Sequence, residues 1–186
     1  MWLPEWNEPA VGEAWREIVR RSVHCYGPSS REDFARGWGM QPAPAERILK
    51  ASADELMEVD VQGYRGFALT ADVEGMRTAK SRETPVRLLP TFDVYVTGTR
   101  PRTSFVDERF ENRVFRTGAW ISSVVLVDGK VSGVWSSEGK NRRLDVKVEP
   151  FRKLTAAVKQ GIGEEVERLG SFLDTPTELS FSRVAS

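Results

Sequence analysis

The segment 120–137, WISSVVLVDGKVSGVWSS, leaves its chain little freedom. Asp128-Gly129 is a favoured two-residue hairpin turn, because a type I′ turn needs positive φ at both positions and these residues tolerate it. The apolar residues on either side predict two antiparallel strands. GKNRR (139–143) then turns the chain into LDVKVEP, which predicts a three-stranded antiparallel meander. A meander must cover its apolar face. Residues 151–173 offer the cover, since Phe151, Leu154, Val158, Ile162, Val166, Leu169 and Leu173 share one helical face. ELSFSRV at 178–184 is expected to close the sheet. VRLLP and FDVYV, between 86 and 96, have the composition of two further short strands.

The first half follows a different period. In residues 9–26, Val11, Trp15, Ile18, Val19 and Tyr26 fall on one helical face, and Gly27-Pro28 stops the helix. SSRE suggests a capping box, with Ser29 as the cap and Glu32 three residues on. The short helix it opens should bury Phe34, Ala35 and Trp38. Pro44 suits the first turn of a third helix, whose inner stripe is Ala45, Ile48, Leu49, Ser52 and Leu56. The period then changes from 3.6 to 2, with Met57, Val59 and Val61 alternating with Glu58, Asp60 and Gln62. A hairpin turning around Gly63–Gly66 accounts for this, with Phe67 and Leu69 returning. Three short helices followed by a hairpin is the order of a winged helix. The expected architecture is α+β: a winged-helix domain over 1–75, then an antiparallel β-rich domain over 76–186 capped by a long C-terminal helix.

Composition narrows the functional classes. A single cysteine, Cys25, excludes an internal disulfide and is expected to be a small buried apolar residue. With one histidine, His24, the usual zinc patterns cannot be built, so neither metal nor cofactor is expected. His24 is placed at the end of the first helix, a favourable dipole position. No apolar run approaches the roughly 20 residues of a membrane span. The N-terminus lacks signal-peptide design. A soluble cytoplasmic protein with no membrane partner is expected.

Net charge is zero overall but unevenly spread. Residues 1–75 carry 8 basic and 13 acidic side chains, whereas 76–147 carry 14 and 8. That excess points to a polyanion-facing surface in the second half. Its candidates are Arg77, Lys80 and Arg82 in the connector, Arg100 and Arg102 after FDVYV, and Lys140, Arg142 and Arg143 at the meander turn. In the third helix, Glu46, Arg47, Lys50 and Asp54 cancel, so that helix suits an architectural role better than a base-reading one. Asp93 sits among apolar residues, where a carboxylate more often caps a turn or pairs with a nearby arginine than serves as a general base.

Three stretches carry a family resemblance: YGPSSREDFARGWGM (26–40), VRLLPTFDVYVTG (86–98) and VVLVDGKVSGVW (124–135). Together they resemble the bacterial winged-helix DNA-binding domain family, which contains DNA glycosylases that unhook interstrand crosslinks. The likeness runs from about Trp15 to Phe172. It implies tandem winged helices, usually in a chain about twice this length, of which this sequence is similar to the C-terminal half. It also implies double-stranded DNA as partner. Glycosylase members use a Gln-x-Gln or Gln-x-Asp motif near their N-terminus to position the attacking water. Here Gln41, Gln62 and Gln160 are followed at two residues by Ala43, Tyr64 and Ile162. No catalytic residue carries over. The leading expectation is therefore a DNA-binding protein without sequence preference, inactive on its own. The first alternative is a glycosylase completed by a missing N-terminal region or partner chain. A structural or protein-binding module is the second.

Overall fold

The computed structural model describes residues 8–80, 86–140 and 142–184, together with the backbone but not the side chain of Lys140. It divides into two compact units, Met1–Ala79 and Lys80–Ser186.

In the first unit, α1 (Val11–Tyr26), α2 (Arg31–Gly37) and α3 (Pro42–Ala51) precede a hairpin of β1 (Leu56–Val61) and β2 (Tyr64–Leu69), followed by α4 (Thr70–Thr78). Its core is Val19, Val23, Phe34, Ala35, Ala45, Leu49 and Leu69. The turn is tighter than the glycines suggest. Gln62 and Gly63, both at positive φ, connect Val61 to Tyr64. Gly66 lies inside β2 instead, where a Cβ would come within 3.0 Å of the Ser29 backbone. That close approach lets Ser29 and Phe67 exchange backbone hydrogen bonds of 3.0 and 2.9 Å.

Several expectations fail here. Ser29 spends its backbone on Phe67, so the cap is Ser30, whose hydroxyl accepts from the Asp33 N–H at 3.1 Å. Val11, Tyr26, Trp38, Met57 and Val61 are exposed, and Val23 takes an inner place instead. Cys25 is exposed. The connector begins later than its composition implies, because α4 runs through Arg77 to Thr78.

The second unit is a five-stranded sheet in the order β3-β4-β5-β6-β7. Its strands are β3 (Val86–Leu89), β4 (Val124–Val127), β5 (Lys130–Lys140), β6 (Arg143–Pro150) and β7 (Thr177–Phe181). The meander forms as expected, with Asp128 and Gly129 at φ of 49° and 74°. One pair departs from the antiparallel rule: β7 lies parallel to β6, and α7 (Ala156–Phe172) makes the crossover between them. Both faces of the sheet are covered, which explains why VVLV is continuous rather than alternating. Val124 enters a core with Val96, Phe105, Val106, Val114, Val131 and Phe151. Val125 points the other way, with Val86, Val146, Val148, Ile162 and Val166 beneath α7.

FDVYV is not a strand. Val94–Gly98 forms a short helix, α5, whose cap Asp93 accepts from the Tyr95 N–H at 2.8 Å. Short helical turns and α6 (Glu111–Val114) carry the chain on to β4. Among the described residues, no helix is long and apolar enough to cross a membrane.

Candidate nucleic-acid interface

Where the cations sit, and what already holds them, decides which can meet a polyanion. In the first unit most are committed. Arg20 donates to Glu55 at 2.7 and 2.9 Å and to Glu17 at 2.5 Å; Arg20 holds the Glu55 carboxyl below its usual range, and Arg21, with Arg20 second, does the same for Glu17. Arg16 is bonded to Asp54. On α3, Lys50 pairs with Glu46 at 2.8 Å, and Arg31 reaches the same carboxylate at 3.1 Å. The nominal reading helix therefore offers one cation without a partner among the described residues, Arg47. His24 Nδ1 lies 2.8 Å from Asp72 at the start of α4, so its environment is an interhelical contact.

A half-buried polar clamp positions α2. Ser30 Oγ donates to Asp33 at 2.6 Å, the Tyr64 hydroxyl donates to the same carboxylate oxygen, and the Ser30 N–H reaches the Tyr64 hydroxyl at 3.0 Å. Burial pushes the Asp33 carboxyl up, but hydrogen bonds from Ser30, Tyr64 and Arg36 outweigh it and hold the group below its ordinary value. Burial and the Asp33 bond push the Tyr64 phenol up.

The sequence candidates fall into three groups. Arg100 and Arg102 flank α5 and are engaged by the protein itself. Arg100 donates to the carbonyls of Thr97 and Thr99 at 3.0 and 2.7 Å, closing the C-terminus of that helix. Arg102 pairs with Glu111 at 3.1 Å and stacks over Phe115 at 3.8 Å. Arg77 ends α4 in the first unit, Lys80 opens the second, and both are exposed. Arg82 lies outside the described residues. At the far end of the meander, the Lys140 backbone lies opposite Arg143 in the β5–β6 register, and Arg142 is exposed there at φ 61°. Arg143 is held by Asp145 at 2.6 Å and by Glu178, which push its pKa up. Arg142 has no partner among the described residues.

Charge counting by segment missed a second feature, because its residues are scattered. Arg113, Arg116, Asn112, Trp135, Ser136 and Glu149 line a cleft of about 400 Å³. Arg113 is paired with Glu149 at 2.8 Å, whereas the Arg116 side chain has no partner among the described residues. A backbone bond of 2.8 Å ties Arg116 to Trp120. No group of three histidine, cysteine or carboxylate side chains able to hold a metal comes together among the described residues.

Comparison with known proteins gives this geometry a context. The family model described as DNA glycosylase AlkZ-like matches residues 1–172. A curated relative, an "Interstrand DNA cross-link repair glycosylase" of Streptomyces sahachiroi, is 34% identical over 136 residues, covering 70% of this chain and 36% of that protein. The solved structure of Streptomyces sahachiroi DNA glycosylase AlkZ superposes with a TM-score of 0.77 at 27% identity, over 94% of this chain and 48% of that one. The chain thus spans about a third of its curated relative and about half of the solved chain. The comparisons favour the glycosylase alternative over an inactive DNA-binding protein. With the family model covering 172 consecutive residues, the chain belongs to the AlkZ-like DNA glycosylase family.

Proposed function

We propose that this chain is the DNA-holding portion of a cytoplasmic glycosylase that hydrolyses the N-glycosidic bond of alkylated or cross-linked bases. The observation that carries this reading is the family match over residues 1–172, joined to a fold likeness covering 94% of the chain. In this reading residues 1–75 form a winged helix that serves as scaffold, since of the two cations on its third helix Lys50 is spent on Glu46, which Arg31 of α2 also holds. Residues 76–186 form a second domain that meets duplex phosphates. Lys140, Arg142 and Arg143 at the β5–β6 turn are its main phosphate-holding group, Arg142 directly and Arg143 by exchanging Asp145 and Glu178 for phosphate, joined by Arg77, Lys80 and Arg82. Arg100 and Arg102 form a structural flank. Phosphate-directed side chains of this kind position a duplex without reading its sequence.

The chemistry needs groups that hold a water and a pocket for the extruded base. None of Gln41, Gln62 or Gln160 belongs to the paired motif of the glycosylase members. The relative's greater length leaves room for those groups elsewhere in such a protein. A chimera tests this, in which residues 1–172 replace the matching stretch of the Streptomyces sahachiroi glycosylase. After incubation with an alkylated duplex, alkali should reveal abasic sites from the chimera and none from the 186-residue chain alone. Cleavage by the chain alone, or a folded, DNA-bound chimera that leaves the alkylated base in place, contradicts the proposal.

A further inference from the structure

Two large aromatic side chains stand together outside both cores of the second unit. Phe92 and Trp120 are each 48% exposed, with ring centroids 5.1 Å apart and planes at 74°. An edge-to-face pair hides one ring edge and leaves most of the aromatic surface open. Burying it inside would have been favourable, yet the backbone does the opposite. Phe92 sits at φ 59° and Ala119, beside Trp120, at φ 58°. A bulky residue in the left-handed region is strained, and such strain persists only where the surroundings impose it.

Those surroundings are anchored on both sides. Before Phe92, the Trp135 indole donates to the Leu89 carbonyl at 2.9 Å. After it, Asp93 caps α5 at 2.8 Å. Trp120 is fixed to Arg116 by the 2.8 Å backbone bond, and Phe115 bridges to Ile121. The rings are thus displayed from backbone that is hydrogen-bonded on both sides. Arg116, held to Trp120 by that backbone bond, lines the 400 Å³ cleft with Arg113, Asn112 and Ser136. A hydrophobic protein surface would not need an arginine without a partner at its rim; a polyanion with flat aromatic parts would. Phosphate for the guanidinium and a π-face for the rings describe one ligand class.

We propose that Phe92 and Trp120 form a platform on which an unpaired nucleobase stacks, with Arg116 holding its phosphate. The proposal deepens the duplex-holding reading and rests on it: the platform would receive a base displaced from the held duplex, at a place distinct from the β5–β6 turn. Stacking of a base on an aromatic side chain is tolerant of sequence, so no base preference is implied.

The test uses the full chain and two labelled duplexes, one fully paired and one carrying a single bulged 2-aminopurine. The wild type should bind the bulged duplex more tightly and quench 2-aminopurine fluorescence. Trp120→Leu, which keeps apolar bulk without a π-face, should reduce the bulged-to-paired affinity ratio about tenfold. Trp120→Phe should retain most of the ratio and the quenching. Melting curves establish that each variant is folded, and Phe92→Leu supplies a second variant of the same pair. A wild type that binds both duplexes equally without quenching overturns the platform and leaves duplex holding intact. Trp120→Leu retaining the ratio, or Trp120→Phe losing it as fully as Trp120→Leu, also overturns it. A wild type that binds neither duplex overturns this inference and the reading beneath it together.

Discussion

Asp33 accepts hydrogen bonds from Ser30, Tyr64 and Arg36, so one carboxylate joins the start of α2 to strand β2. Asp33→Asn should cost about 1–3 kcal/mol at neutral pH, the range for a broken hydrogen bond to a charged group. The pH dependence has a definite sign. The folded pKa lies below the ordinary 3.8, so the contribution is complete above the unfolded value and fades as pH falls toward the folded one. Chemical denaturation between pH 3 and pH 7 should therefore show a smaller acid loss in the variant than in the wild type. Equal slopes would mean that Asp33 is not held below its ordinary value. The clamp was half legible in the sequence. SSRE announced a cap in the right place, but the cap moved by one residue because Ser29 had a backbone partner in β2 that no local pattern displays. Cys25 failed similarly: its type is most often buried, whereas the last turn of α1 leaves it exposed.

Elements were most legible where two signals agreed. Asp128-Gly129 between apolar runs fixed one hairpin, and helical spacing over 151–173 located α7, although the helix starts only at Ala156, Phe151 joins the other core and Leu173 is exposed. FDVYV shows the opposite case. Its β-branched and aromatic content favours a strand, but the Asp93 cap and the left-handed backbone at Phe92 turn it into a helix. The parallel β6–β7 pair was invisible because it depends on where α7 delivers the chain. That delivery relies on close packing: a Cβ on Gly161 would lie 2.8 Å from Val86 Cγ2 on β3. Gly161→Ala gains helix propensity yet must displace a valine in a filled core, where overpacking costs about 1–3 kcal/mol. Urea denaturation should show a net loss of stability with an unchanged m-value. A gain would place α7 farther from the sheet than this packing requires.

At the scale of the whole molecule, charge is the strongest guide to the partner and the weakest guide to which side chains meet it. The excess of 14 basic over 8 acidic side chains in residues 76–147 was countable from sequence, but its internal pairing was not. Arg102 and Arg143 have carboxylate partners, and Arg100 closes a helix end, while the side chains of Arg116 and Arg142 stand without partners among the described residues. The scattered cleft at Arg113 and Arg116 needed the fold to assemble it. In the proposed reading, a duplex is the recipient of the remaining positive charge.

Fluorescence anisotropy with a labelled duplex across a range of salt concentrations tests that central claim. Binding should weaken linearly on a log–log plot, and replacing Arg142 and Arg143 by alanine should make the slope shallower by about 0.9 for each phosphate that is no longer neutralised. The same change at Arg47 and Lys50 should have the smaller effect. A larger effect from the α3 pair would make that helix the DNA-binding surface, and a wild type with no binding at low salt would contradict the account altogether.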